Sequence, residues 1–135
     1  MILFKFIKRS LVVLFIFASI KCSNDNTKPI SLENAKKGEL LFNSVGCTKC
    51  HSLTGESRYG PSLIFTYDNE VIVYRKGKKV SVKLDRKYII RAIKYPDYEK
   101  LNGYQDKKMI PPTLTTEEID RIVDYLIYIN TKGNP

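Results

Sequence analysis

Apolar residues along this chain fall into separate stretches, and the spacing within each predicts a different element. Residues 11–20 form one apolar run in which Ser19 is the lone polar residue. Leu32, Ala35, Leu40, Leu41 and Phe42 recur at helical spacing, with Ser31 placed to cap the helix and Gly46 to stop it. Residues 52–69 carry Gly, Ser, Pro and Tyr and read as loop. Residues 71–74 and 80–82 are rich in valine and flank Arg75-Lys-Gly-Lys-Lys79, which predicts a small hairpin with Gly77 in its turn. Asp85 can cap a helix over residues 86–95, and Pro96 ends it because the residue before proline avoids helical angles. Thr115 and Glu118 form a capping box. They open the strongest helix, with Ile119, Ile122, Val123 and Leu126 on one face and Gly133 beyond its end. Three helices, one hairpin and long loops leave little regular structure for a large core, so a bound apolar group would supply the missing centre.

The 135-residue length allows one domain plus a targeting sequence. Lys5, Lys8 and Arg9 precede the apolar run, which has the arrangement of an export signal. The run is too short to span a bilayer as a helix. The chain therefore divides into a signal at residues 1–21, a polar tether at 22–30 and a folded domain at 31–135. The net charge of +9 includes four leader cations, Lys5, Lys8, Arg9 and Lys21, so the exported chain carries +5. That is a solvated surface rather than a nucleic-acid footprint, and export itself argues against a nucleic-acid partner. Of the three cysteines, Cys22 stands alone directly after the apolar run. Lipidation explains such a leftover thiol. Lys21 departs from the small residue that usually precedes a lipidated cysteine, and a signal cut elsewhere is the alternative.

Cys47-Thr-Lys-Cys50-His51 is a C-x-x-C-H sequence, the pattern of c-type haem attachment. One turn of chain presents two thiols to the vinyl groups on one haem edge, and the next residue brings an imidazole to the iron. A redox C-x-x-C pair would follow a strand and open a long helix, whereas here a helix precedes and a loop follows. A structural zinc site needs four ligands, and this motif offers three. The chain has one His, and of its two Met residues Met1 lies in the signal. Met109 is left as the candidate sixth ligand, with Pro111 and Pro112 stiffening the chain just after it. The alternative is a methionine filling an apolar gap.

These residues resemble class I cytochromes c from about Leu32 to Ile129. The family places a glycine and an aromatic in its first helix, matched by Gly38 and Phe42, and a Tyr-Leu in its last, matched by Tyr125-Leu126. The resemblance implies that these helices cross closely. It also implies that Gly60-Pro61 follows the haem motif so that the Pro61 carbonyl accepts from the His51 Nδ1–H. The stretch from Lys76-Gly77 through Asp85, Tyr88-Ile89, Ile93, Pro96 and Gly103-Tyr104 to Met109 is similar to the cytochrome c domain of caa-type oxidase subunit II. Similar domains end some nitrous oxide reductases. The family's usual Met-Pro is interrupted here by Ile110.

The resemblance implies an all-α, cytochrome c-like fold, with three or more helices around one covalent haem c and a small β-hairpin insertion. It implies an electron carrier rather than an enzyme, with His51 and Met109 on the iron and Cys47 and Cys50 holding the haem. Exchange with a respiratory oxidase or reductase would follow. Export and Cys22 place the chain in the periplasm or on the outer face of the cytoplasmic membrane, anchored there by a lipid or by the signal. Lys107 and Lys108, beside Met109, favour a redox partner with an acidic docking surface. The alternative is a haem enzyme or gas sensor in which Met109 is displaced and Arg91 or a carboxylate acts on the bound ligand.

Overall fold

The computed structural model describes residues 29–132. The signal, Cys22, the tether up to residue 28 and Gly133 lie outside them. Helix α1 spans Leu32–Ser44, and helix α3 spans Thr116–Thr131. Ser31 occupies the cap position of α1 in extended conformation, but its hydroxyl makes no capping bond. The α3 start is as the sequence predicts. The Thr115 hydroxyl accepts from the Glu118 N–H at 3.2 Å, and the Glu118 carboxylate accepts from the Thr115 N–H at 2.8 Å.

The two helices cross with Ala35, Gly38 and Phe42 of α1 buried against α3. A Cβ on Gly38 would lie 1.9 Å from the Arg121 carbonyl oxygen and 2.9 Å from the Tyr125 Cβ, so only glycine permits this approach. Phe42 and Tyr125 meet four residues further along α1, with ring centroids 5.5 Å apart at a tilt of 56°. The core continues through Ile119, Ile122, Val123, Leu126 and Ile127 of α3.

Strands β1 (Glu70–Arg75), β2 (Lys78–Lys83) and β3 (Lys100–Leu101) form an antiparallel sheet in the order β2-β1-β3. The hairpin turn has Lys76 at φ 51° and Gly77 at φ 75°. Two positive φ values match the right-handed twist of the flanking strands. The sheet corrects the all-α expectation: the cytochrome-like helices are present, but the insertion is a three-stranded unit and not a lone hairpin. Its third strand is two residues long, pairing Val73 with Leu101 and Tyr74 with Lys100, and so short a segment carries no alternating pattern.

Helix α2 spans Arg86–Lys94, with the Asp85 carboxylate accepting from the Tyr88 N–H at 2.8 Å. It stops one residue before the expected Tyr95, which sits at φ −134° ahead of Pro96. Two ion-pair sets lock these pieces together. Arg86 is buried and donates to Asp120 at 2.5 Å and to Asp124 on α3. Glu99, with a side chain 1% exposed, accepts from Arg75 of β1 at 2.6 Å and from Arg91 of α2 at 2.5 Å. A buried carboxylate is costly unless charge-assisted hydrogen bonds replace its water, and here two guanidinium groups do so.

Candidate functional site

The Cys47–His51 segment begins where α1 ends. Gly46 takes a left-handed conformation and breaks the helix, and Cys47–Lys49 wind into a single 3₁₀ turn. The Cys47 carbonyl accepts from both the Cys50 N–H at 3.2 Å and the His51 N–H at 3.0 Å. This turn sets two free thiols three residues apart with the imidazole immediately after them. Cys50 is exposed and Cys47 half-buried, and burial pushes the Cys47 thiol up.

The following loop folds back over the motif. Gly60 N–H donates to the Cys50 carbonyl at 2.9 Å, Leu63 N–H to the Ser52 carbonyl at 2.9 Å, and the Arg58 guanidinium to the Thr48 carbonyl at 3.3 Å. Pro61, implicated only through the family resemblance, lies where that resemblance puts it. Its carbonyl oxygen is 2.8 Å from His51 Nδ1. A carbonyl can only accept, so Nδ1 carries the proton and Nε2 presents its lone pair. Gly60 forms the cradle: a Cβ there would lie 2.5 Å from His51 Cε1 and 3.0 Å from Nε2. Any side chain at 60 would push the ring out of its hydrogen bond.

Asn130 holds this loop to the last helix. Its side chain accepts from the Phe65 N–H at 2.7 Å and donates to the Leu63 carbonyl at 2.9 Å. The sequence reading missed it, since one asparagine late in a helix carries no local signal.

Met109 is half-buried, whereas Ile110 beside it is 83% exposed. Ile110 therefore stands in solvent, while Met109 is partly covered. The Met109 loop reaches the His51 cradle at Tyr59, whose Oη accepts from the Lys108 N–H at 3.3 Å. The Lys107 ammonium lies 5.7 Å from the centroid of the same ring. Arg91 does not join this group, because its guanidinium is held by Glu99.

A covalent haem fits these residues. The thiols are free, the imidazole is fixed in the metal-binding tautomer, and glycine clears space at the ring. Leu53, Leu63, Phe65, Tyr88, Ile93 and Leu114 remain only half-buried against the core, which an apolar macrocycle would cover. A zinc centre does not fit: among the described residues no group of three or more His, Cys, Asp or Glu side chains could hold a metal ion. The arrangement defines a c-type haem protein.

The family model described as Cytochrome c matches residues 35–129, so the chain belongs to the cytochrome c family. Members of that family carry covalently attached haem c and use it for electron transfer, with one haem typical of a single domain. No curated protein matches the chain.

Proposed function

We propose that this chain is an exported, membrane-anchored monohaem cytochrome that passes single electrons to or from a respiratory oxidase or reductase. The observation that supports the haem at the centre of this reading is the His51 Nδ1 to Pro61 carbonyl contact of 2.8 Å, which leaves Nε2 as the only imidazole nitrogen free for iron. Cys47 and Cys50 would hold the haem covalently, with His51 and Met109 as the side chains that would bind its iron. When bound, the haem supplies a one-electron couple, and His and Met ligation raises its potential relative to two histidines. The protein's part is to orient His51, to exclude water with half-buried apolar side chains and to supply the Met109 thioether as a second iron ligand.

The resemblance read in residues 76–109 to the cytochrome domain of caa-type oxidase subunit II is the ground for proposing a respiratory oxidase as partner. Lys107 and Lys108 suit an acidic partner surface. Anchoring follows from Cys22. A single acyl chain binds a membrane only marginally, while a cysteine bearing three chains buries enough methylenes to stay. Cys22→Ser is expected to release the protein from membranes of its native host, and continued membrane fractionation would point to an uncleaved signal instead.

A pyridine haemochrome spectrum of the purified protein, followed by Met109→Ala, tests the central reading. The variant should keep covalent haem and lose the weak red absorption band that reports iron–sulfur bonding. A wild-type protein without that band, binding carbon monoxide readily when reduced, would make it a ligand-binding haem protein.

A further inference from the structure

We propose that Tyr59 is a positioning residue that clasps the two axial-ligand segments together and holds Met109 in place. This rests on Met109 being the sixth ligand. Tyr59 directly precedes Gly60-Pro61, the pair that cradles and orients His51. Its hydroxyl reaches the other segment and accepts from the Lys108 N–H at 3.3 Å, one residue before Met109. Its ring faces the Lys107 ammonium at 5.7 Å, within the range of a cation–π contact. Two successive residues of the Met109 segment therefore rest on one side chain of the His51 segment.

The segment runs from Leu101 in β3 to Leu114, which packs on the core. Between those ends Tyr104 N–H bonds to the Leu101 carbonyl of β3 and Lys107 N–H to the Tyr104 carbonyl. Ile110 is 83% exposed and contributes no core packing. A thioether is a weak ligand, so what keeps it on iron is the cost of moving its loop. An external ligand binds only when the loop is open, so its apparent affinity scales with the open fraction. Loss of one hydrogen bond raises that fraction by about two- to tenfold.

The test is Tyr59→Phe in the purified holoprotein, titrated with imidazole in the ferric state. Tyr59 is 52% exposed, so loss of its hydroxyl leaves the core intact. The expected result is an unchanged covalent haem spectrum, an imidazole affinity about two- to tenfold higher than wild type, and a larger rise for Tyr59→Ala, which also removes the ring under Lys107. Tyr95→Phe, at a tyrosine 60% exposed, is the control and should leave the affinity unchanged. Wild-type imidazole affinity in Tyr59→Phe, or an equal rise in Tyr95→Phe, would overturn the clasp. A wild-type ferric protein that lacks the iron–sulfur band would instead remove the Met109 assignment and the clasp with it.

Discussion

Gly38 and the Arg121 carbonyl mark the tightest approach between α1 and α3: a Cβ on Gly38 would sit 1.9 Å from that oxygen. Two effects compete in Gly38→Ala. Helix propensity would gain about 1 kcal/mol. The overlap is with backbone, which cannot rotate away, and forced separation of packed elements costs about 1–3 kcal/mol or more. The clash wins. Gly38→Ala is expected to lower the denaturation midpoint of the holoprotein, and equal or greater stability would show that the helices slide apart freely.

Attachment should require both thiols. Cys47→Ser or Cys50→Ser leaves one thioether, and the double substitution should give haem that acid-acetone extracts completely. Covalent haem persisting in the double variant would mean that the 3₁₀ turn is not the attachment site.

Arg86 is expected to be among the costliest surface-to-core cations to remove. Asp124 is 1% exposed, and one of its carboxylate oxygens has no hydrogen-bond partner besides. Arg86→Met strands that carboxylate in the core, a change worth about 3–5 kcal/mol. Adding Asp124→Leu should recover much of the loss, since apolar replacement of a whole buried pair is often neutral. A single variant as stable as wild type would show that the pair is dispensable.

Alkaline stability should depend on Tyr88. Burial first, then the Glu99 carboxylate, pushes its phenol up to about 12, with Arg91 opposing. An unfolded tyrosine ionises near pH 10, so above that pH the unfolded chain has already lost the proton that the folded chain keeps. The stabilisation is complete below about pH 10 and is lost as pH rises to about 12, for at most about 2–3 kcal/mol. Near-ultraviolet titration should find a late tyrosinate that is missing in Tyr88→Phe, and the variant's stability should fall less steeply over that range. Identical titration curves would place Tyr88 in water.

Docking should show in the salt dependence. Lys107 pairs with Asp106 at 3.2 Å yet keeps its side chain 42% exposed, and Lys108 is exposed beside Met109. Electron-transfer encounters are brief, and charge complementarity mainly raises their rate. Lys107→Glu with Lys108→Glu should slow exchange with the physiological partner by about tenfold at low salt while the visible spectrum stays unchanged. The wild-type rate should fall as screening shortens the field. Stopped-flow rates that stay flat with ionic strength would exclude these lysines from docking.

Much of this molecule was legible along the chain because its signals are local. A capping box is four consecutive residues, a helix stop is one glycine, and the haem motif is five residues whose spacing is set by a single turn. The hairpin followed from the valines on either side of Gly77. Pro61 and Gly38 were accessible only through family resemblance, since nothing in their immediate neighbours says what they touch. Tertiary structure alone decided the rest. It added β3, whose two residues have no period to detect. It placed Glu99 between Arg75 and Arg91, and Arg86 against Asp124, pairs separated by 8 to 38 residues. It brought Asn130 to a loop 65 residues earlier and Tyr59 to Lys108, 49 residues away. Such contacts depend on how helices and loops pack once the core has formed. A sequence pattern records a residue's neighbours in the chain, and these side chains are satisfied by neighbours in space.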